Sequence, residues 1–441
     1  MKYRILPLLF FLLFSCRDAS SPTIPTPQKS SYAATPLKLD KATYYDKVLG
    51  ALVGSAIGDA MGASTEMWNR YDIQKQYGYI LGLTPTIRER SPEGPWGHNL
   101  VAGATTDDTR WKYLATKYVV QHKNDLNAKH FADFIVDYYQ SLLPQLADDD
   151  ALSNPDMLDQ QLKKVDWIKE WVRVALAYQK GPKAYQEAQN RFYGGEMSCA
   201  GMLYTPMFGL WASDPERAYN IAYEHTLFDL GYARDISGIV AAMCNTALKT
   251  KDMDTILQAA IFVDPKGYQD SRLISRLSYS IADAAQKTVI ASKEININDS
   301  LLVNDPSAII DADYLLDSIP PKIPKGYQGT SLQWVQQEFV YRVLEKNQKA
   351  IAFHAGEIWE ILYSALVFGE GDFKKTMQFI VNYGRDNDTV AAVAGMILGA
   401  KDGYSKLPTT LKQEVLLVNK EVLGIDLEAL AKEMTDAITE E

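Results

Sequence analysis

The sequence of 441 residues predicts an all-α fold, and three observations support this class. Apolar residues recur three and four positions apart over long stretches, which is the spacing of one helix face. The sequence has no sustained run of alternating polar and apolar residues, the pattern of half-buried strands. The apolar stripes are broad and not strictly heptad, which favours a globular multi-helix bundle over a coiled coil. Such stripes include Phe131, Phe134, Ile135, Tyr138 and Leu142, then Val165, Ile168, Val172 and Leu176, and later Ile358, Ile361, Leu362 and Leu366.

The composition bounds the possible partners. The formal net charge is −10 at pH 7, and 47% of the residues are hydrophobic, enough to bury a large core. Because an acidic surface repels phosphate backbones and the sequence offers no local basic cluster, we expect no nucleic-acid partner. A small anionic substrate would need a local cation, which is a first indication of a metal ion.

The N-terminus has the pattern of a secretory signal. Two basic residues, Lys2 and Arg4, precede an apolar stretch at 5–14 that is too short to span a bilayer. The stretch ends at Ser15 and Cys16, which is similar to the cleavage site of a bacterial lipoprotein.

Residues 1–16 are therefore predicted to be a lipoprotein signal peptide, with Cys16 carrying the lipid. This predicts a location in the bacterial cell envelope, anchored to the membrane on its periplasmic or surface side; an ordinary signal peptide cut nearby is the alternative. Residues 17–42 are rich in Ser, Thr and Pro, which is typical of a flexible linker. Residues 43–441 remain as a single helical domain.

Three glycines follow at intervals of four residues. Gly54, Gly58 and Gly62 would lie on one face of a helix, where they let another backbone approach closely. A phosphate-binding loop is the alternative, but the spacing matches neither the Walker nor the dinucleotide pattern. We therefore expect a helix-packing face.

Two acidic clusters each precede a predicted helix. The first, at 105–109, reads Thr-Thr-Asp-Asp-Thr before a helix at 110–121, and the second, at 384–389, reads Gly-Arg-Asp-Asn-Asp-Thr before a helix of small residues at 390–400. Helix capping accounts for one carboxylate at such a position. It does not require two carboxylates with threonines in both places.

Paired carboxylates repel each other unless a positive charge lies between them. A hard divalent cation supplies that charge and prefers oxygen ligands. Two such clusters brought together would make an oxygen-rich site for two ions. Neither cluster has a neighbouring histidine or cysteine, which argues against zinc.

Cys199 and Cys244 are the cysteines outside the predicted signal peptide. Two cysteines do not make a disulfide framework, although they could pair in an oxidising compartment. We expect two free buried thiols.

The three motifs together resemble the ADP-ribosylglycohydrolases, a family that includes dinitrogenase reductase-activating glycohydrolase. In order, they are a Gly-Asp-Ala-x-Gly segment at 58–62 with Glu66 close behind, Thr-Asp-Asp-Thr at 106–109, and Gly-x-Asp-x-Asp-Thr at 384–389 before an Ala/Gly-rich helix. The resemblance implies an orthogonal multi-helix bundle of the ADP-ribosylglycohydrolase type, with two Mg²⁺ or Mn²⁺ ions.

The resemblance also assigns roles to residues. Glu66 corresponds to the family's catalytic acidic residue beside the ions. The metal ligands implied are Thr106, Asp107, Asp108, Asp386, Asp388 and Thr389. The substrate-binding residues implied are Asp59, Ser198, Met202 and His225, with a satisfied helix histidine as the alternative for His225. Ser198, Cys199 and Leu203 depart from the family pattern in the substrate loop, where Asn, Gly and Arg are usual. Arg385, where Gly is common, is predicted to pair with Asp107 or with a substrate phosphate.

The implied function is a divalent-metal-dependent hydrolase that cleaves a glycosidic bond of an ADP-ribosyl group, on a protein or a small molecule. Two alternatives stay open because the substrate loop is altered. One is a non-catalytic member that binds a nucleotide or sugar, and the other is a two-metal hydrolase of another envelope substrate.

Overall fold

The structure is a computed structural model that describes residues 39–86, 100–147, 154–295 and 323–439. The all-α prediction is confirmed, because extended pairing in these ranges is limited to two strands of two residues and one isolated bridge. The predicted signal peptide, Cys16 and residues 17–38 of the predicted linker lie outside the described residues. No helix in the described ranges is long and apolar enough to cross a membrane.

The first half of the described chain is a series of helices, and the first of them begins slightly before the predicted domain boundary at residue 43. Asp40 caps this helix, because its carboxylate accepts a hydrogen bond from the backbone N–H of Thr43. The elements are α1 (Lys41–Gly62), β1 (Trp68–Asn69), α2 (Arg70–Tyr77), α3 (Asp107–His122), α4 (Ala128–Leu142), α5 (Pro155–Asp166), α6 (Lys169–Gln179) and α7 (Pro182–Phe192).

The second half continues in the same way, with short 3₁₀ turns between some helices. The elements are α8 (Pro206–Trp211), α9 (Pro215–His225), α10 (Ala233–Lys249), α11 (Met253–Phe262), α12 (Leu277–Lys293), α13 (Ser331–Lys346), α14 (Ala355–Gly369), α15 (Phe373–Tyr383), β2 (Gly384–Arg385), α16 (Asn387–Asp402), α17 (Thr409–Glu421) and α18 (Leu427–Thr439). Helices α1, α10 and α16 are buried over nearly their whole length and form the centre of the core.

Helices α1 and α16 are in backbone contact along the glycine face of α1. A Cβ placed on Gly54 would lie 2.3 Å from the carbonyl oxygen of Gly395, and one on Gly58 would lie 2.0 Å from that of Ala391. A Cβ on Gly62 would lie 2.4 Å from Cα of Asp388. These distances leave no space for any side chain. The predicted helix-packing face is confirmed, and it brings the end of α1 to the start of α16.

A short antiparallel pairing connects the residues after α1 to the residues before α16. Trp68 of β1 pairs with Arg385 of β2, and the N–H of Met67 donates to the carbonyl of Arg385 at 2.7 Å. Met67 and Arg385 both adopt positive φ, 63° and 64°, which is uncommon for residues with a side chain. This pairing fixes Glu66 beside the beginning of α16.

Candidate functional site

The first acidic cluster forms the N-terminus of α3. Thr106 is the N-cap, and its hydroxyl accepts a hydrogen bond from the N–H of Asp108 at 3.3 Å. Asp107 and Asp108 occupy the first turn, where the helix dipole favours negative charge, and both are buried. The capping role expected of such residues is therefore real, and it leaves the two carboxylates in the interior of the protein.

Asp59 of α1 holds this helix start in place. One carboxylate oxygen accepts from the N–H and the hydroxyl of Thr106, at 2.9 and 3.0 Å, and the other accepts from the N–H and the hydroxyl of Thr109, at 3.0 and 2.6 Å. Burial raises the pKa of Asp59 to about 7. The expectation that Asp59 contacts substrate does not fit this geometry, because both of its oxygens are already used to position α3.

The second acidic cluster forms the N-terminus of α16, and it meets the first. Asp386 stands at the N-cap position, and Asp388 and Thr389 lie in the first turn. The hydroxyl of Thr389 donates to Oδ2 of Asp108 at 2.9 Å. Two segments that are 281 residues apart in sequence are thus in direct contact.

A recess opens where the two helix starts meet, with about 330 Å³ of space including its open mouth. Its acidic lining consists of Glu66, Asp107, Asp108, Asp386 and Asp388, together with the hydroxyl-bearing Thr389. Thr106 does not line the recess, because it faces Asp59. Most of the residues that the sequence assigns to a metal site, and Glu66, therefore share one cavity.

The crowded carboxylates raise one another's pKa values. Burial, followed by the charge of Asp108, raises the pKa of Asp386 to about 8. Burial also raises the pKa of Asp107 and that of Asp388 well above the ordinary range, and the Glu66 carboxylate adds to both shifts. Negative charge at this point is therefore strongly disfavoured unless a cation compensates it.

The residues fit a divalent cation in their chemistry. Oδ1 of Asp388 is buried and has no hydrogen-bond partner, and such an oxygen is costly unless a positive group faces it. The carboxylates and the Thr389 hydroxyl in the lining offer oxygen ligands, and the Cys199 thiol beside them donates to Oδ2 of Asp386 at 3.4 Å. In the described part of the chain, the His, Cys, Asp and Glu side chains form no group of three or more whose present arrangement could hold a metal ion, so the support for a cation is the chemistry of these residues and not a preformed ligand set.

A buried lysine that the sequence analysis did not consider reaches into the cluster. Nζ of Lys112 lies 3.1 Å from Oδ1 of Asp108 and donates to the backbone carbonyl of the same residue. Arg110, two residues earlier on α3, acts on Asp107 by charge. The spacing of four residues between Asp108 and Lys112 on one helix is the signal that could have identified this pair.

The remaining walls of the recess are apolar and aromatic. They are formed by Trp171, Tyr193, Cys199, Ala200, Leu203 and Phe353. The segment around Cys199 is held against the segment around Phe353, because the N–H of Cys199 donates to the carbonyl of Phe353 at 2.9 Å. Sequence reasoning missed Trp171, Tyr193 and Phe353, which come from three different parts of the chain.

The residues assigned to substrate binding in the 198–203 loop are only partly brought to the site. Ser198 and Met202 are buried and do not line the recess, whereas their neighbours Cys199, Ala200 and Leu203 do. Cys199 and Cys244 are both buried thiols outside any disulfide, as expected.

His225 lies in the aromatic core and not at the recess. Its Nε2 is 3.0 Å from the hydroxyl of Tyr118, and its Nδ1 is 2.7 Å from the carbonyl of Ile221. Burial lowers the pKa of His225 to about 4, so the ring is neutral at pH 7. The alternative of a satisfied helix histidine describes this residue, and a substrate contact does not.

The predicted pairing of Arg385 with Asp107 is wrong. Its guanidinium pairs with the carboxylate of Glu357 on α14, with Nε 2.6 Å from Oε1, and also donates to the carbonyl of Lys349. The arginine therefore ties the residue before Asp386 to α14. It makes no hydrogen bond to Asp107 and does not line the recess.

Comparison with known proteins agrees with the motif order. Residues 40–441 match the family model described as ADP-ribosylglycohydrolase. The chain is similar to an uncharacterized protein, YegU, of Escherichia coli (strain K12), with 23% identity over 388 residues that cover 88% of this chain and 97% of the relative. It is also similar to a solved structure titled ADP-ribosylglycohydrolase-related protein complex, with 18% identity, a TM-score of 0.46, and coverage of 90% of this chain and 99% of that chain.

Proposed function

The chain belongs to the ADP-ribosylglycohydrolase family, and on that premise we propose that it is a divalent-metal-dependent hydrolase that cleaves the glycosidic bond of an ADP-ribosyl group. Family membership supports a glycohydrolase-type function. The observation that supports the proposal most is the recess at which the starts of α3 and α16 meet Glu66.

The residues that would hold a divalent ion are Asp107, Asp386 and Asp388, with Thr389 and Asp108 beside them. Their crowding, and the unpartnered Oδ1 of Asp388, support a cation at this point. A bound divalent ion supplies Lewis acidity at a substrate oxygen and orients the attacking water.

The chain's own residues supply the proton transfer and the positioning. Glu66 lines the recess close to the β1–β2 pairing, and we propose that its carboxylate takes or returns the proton of the reaction. Asp59 keeps Asp107 and Asp108 in place through Thr106 and Thr109. The expected transition state resembles an oxocarbenium ion, which the surrounding carboxylates would stabilise.

The aromatic walls would exclude water and contact the apolar faces of the substrate. Beside its acidic residues, the recess is lined by Trp171, Tyr193 and Phe353, which come from three different parts of the chain. Tyr193 and Phe353 also contact each other, with ring centroids 5.1 Å apart. A rigid aromatic wall orients a ligand at little cost in conformational entropy.

The test is release of free ADP-ribose, detected by mass, from ADP-ribosyl-arginine, an ADP-ribosyl-serine peptide and O-acetyl-ADP-ribose, with Mg²⁺, with Mn²⁺ and with a chelator. We expect product from at least one of the three substrates only when the divalent ion is present. Asp388→Asn should lower turnover by roughly two orders of magnitude or more while the far-UV circular dichroism is unchanged. Asp436→Asn, which changes a surface aspartate of α18 in an ion pair with Lys41, is the matched control.

Two results would overturn the proposal: full activity of Asp388→Asn, or no product from any of the three substrates. A second candidate function is supported by the lining of the recess, which in the described residues contains no lysine or arginine to pair with a pyrophosphate. This second candidate function is the hydrolysis of a glycoside or phosphoester that carries no ADP group. Release of sugar or inorganic phosphate from such substrates would distinguish it.

The attachment to the membrane is a separate proposal that rests on the sequence pattern at residues 1–16. We propose that Cys16 becomes the lipidated first residue and anchors the domain in the cell envelope. Cys16→Ala should move the protein from the membrane fraction to the soluble fraction. Mass spectrometry of the wild-type protein should find no unmodified thiol at Cys16. Equal fractionation of the two proteins would contradict the anchor.

A further inference from the structure

The buried pair of Lys112 and Asp108 changes the charge balance of the site. The Lys112 side chain is 1% exposed, and within the described residues the hydrogen bonds of its Nζ go to the carboxylate and the backbone carbonyl of Asp108. A lysine held this way is a fixed positive charge inside the acidic cluster. It stands on the α3 side of the recess and not on the α16 side.

Both oxygens of Asp108 already have protein donors. Oδ1 receives Nζ of Lys112 at 3.1 Å, and Oδ2 receives the hydroxyl of Thr389 at 2.9 Å. On the α16 side the situation differs, because Oδ1 of Asp388 is buried without a partner. Asp108 is therefore compensated by protein groups, while Asp388 on α16 still lacks a positive partner.

A metal ion at Asp108 would have to displace or tolerate the lysine. Two cations a few ångströms apart in a buried site repel strongly, because the interior screens charge far less than water does. Displacing Lys112 would leave its ammonium in the core without the carboxylate that compensates it. Either route disfavours a cation that binds through Asp108.

We propose that the ammonium of Lys112 takes the place of one of the two ions that the family resemblance implies, so that this site binds a single divalent ion through Asp386 and Asp388, with Asp107. The inference rests on the proposed metal-dependent function and specifies the number of ions and the residues that hold the one that remains. Lys112 is on this account a positioning residue, which compensates Asp108 and keeps it facing Thr389.

The test counts ions directly and needs no activity assay. The wild-type domain, stripped with a chelator, is titrated with Mn²⁺, and bound metal is measured by equilibrium dialysis and by electron paramagnetic resonance. We expect close to one Mn²⁺ per chain, with the resolved hyperfine pattern of an isolated ion. Lys112→Met, prepared in Mn²⁺, should bind close to two, with the broadened spectrum of an exchange-coupled pair.

Two further variants are the controls. Lys112→Arg keeps the positive charge and should bind one ion. Lys47→Met removes another buried lysine, whose Nζ donates only to backbone carbonyls of Ala247, Ala400 and Lys401 in the described structure, and should also bind one ion. Far-UV circular dichroism verifies that each variant folds, and if Lys112→Met does not fold, the wild-type count alone decides.

The outcomes separate this inference from the proposed function. Two exchange-coupled Mn²⁺ ions in the wild type would overturn the inference and leave the metal-dependent hydrolase standing. One ion in both the wild type and Lys112→Met would also overturn it, because the lysine would then not set the count. No bound Mn²⁺ in either protein would overturn both.

Discussion

The backbone contact between α1 and α16 makes a prediction about Gly62. In Gly62→Ala, the new Cβ would lie 2.4 Å from Cα and 2.5 Å from the backbone nitrogen of Asp388. Ordinary contact between carbon atoms begins near 3.5 Å, so the two helices must separate by about 1 Å at this level. The clashing atoms are backbone, so no side-chain rotation can relieve the contact. The added methyl group therefore displaces the carboxylate of Asp388 itself.

Two magnitudes follow from that displacement. Overpacking a well-packed core costs about 1–3 kcal/mol, so the free energy of unfolding, measured in urea, should fall by that amount. A misplacement of about 1 Å at reacting groups lowers turnover by roughly 100-fold. Both quantities are measured on the same preparation, the first by circular dichroism and the second by release of ADP-ribose.

Gly82→Ala is the matched control, since the nearest atom to its new Cβ is a side-chain carbon of Leu411 at 3.5 Å. It should leave stability and turnover close to those of the wild type. If Gly62→Ala were as stable and as active as Gly82→Ala, the close approach of α1 to α16 would be wrong, and so would the argument that it positions the site.

Three other predictions concern Asp386, which lines the recess, and His225 and Arg385, which do not. Burial raises the pKa of Asp386 to about 8, so the stability that its protonated carboxyl gives to the metal-free folded state is lost as pH rises from about 4 to about 8. The melting temperature of the wild type should therefore fall over that interval, more steeply than that of Asp386→Asn. Added Mn²⁺ should reverse the fall. His225→Ala should lower the free energy of unfolding by about 1–3 kcal/mol through its lost hydrogen bonds and leave KM unchanged; a raised KM at unchanged stability would contradict its place in the core. Arg385→Met should destabilise the protein by about 1–3 kcal/mol, because the buried carboxylate of Glu357 loses its cationic partner and keeps, among the described residues, only the N–H of Lys349. Glu357→Gln in the same protein should recover part of that loss.

The parts of the molecule that the sequence predicts correctly are those with a local signal. The apolar spacing predicts helices, and the glycines at intervals of four predict a face that another backbone can approach. The same glycines explain why the start of α16 lies at the end of α1. The acidic clusters locate the starts of α3 and α16 to within one turn, because the sequence predicts helices from 110 and 390 and the structure begins them three residues earlier, at Asp107 and Asn387.

The parts that the sequence does not predict depend on which distant segments become neighbours. Trp171, Tyr193 and Phe353 are ordinary core aromatics by their local pattern, and only the fold brings them to one wall. His225 resembles a functional histidine because a histidine on an apolar face has the same pattern whether it binds a ligand or satisfies the core. The sequence motifs suggest Asp107 as the partner of Arg385, whereas its partner in the structure, Glu357, lies on α14, outside the three motifs.

Lys112 differs from these cases because its partner is on the same helix. Asp108 and Lys112 are four residues apart, a spacing at which side chains on a helix interact. What the sequence could not give is the burial of both, which turns a modest surface interaction into a fixed charge inside the site.

The central claim is that the acidic starts of α3 and α16 jointly hold a divalent ion beside Glu66. Its most direct test is anomalous X-ray diffraction from crystals grown with Mn²⁺. The account predicts a strong anomalous peak within ligand distance of Asp386 and Asp388, and none in crystals of Asp388→Asn. A map with no manganese peak in that recess, or with its peak elsewhere on the chain, would contradict the claim.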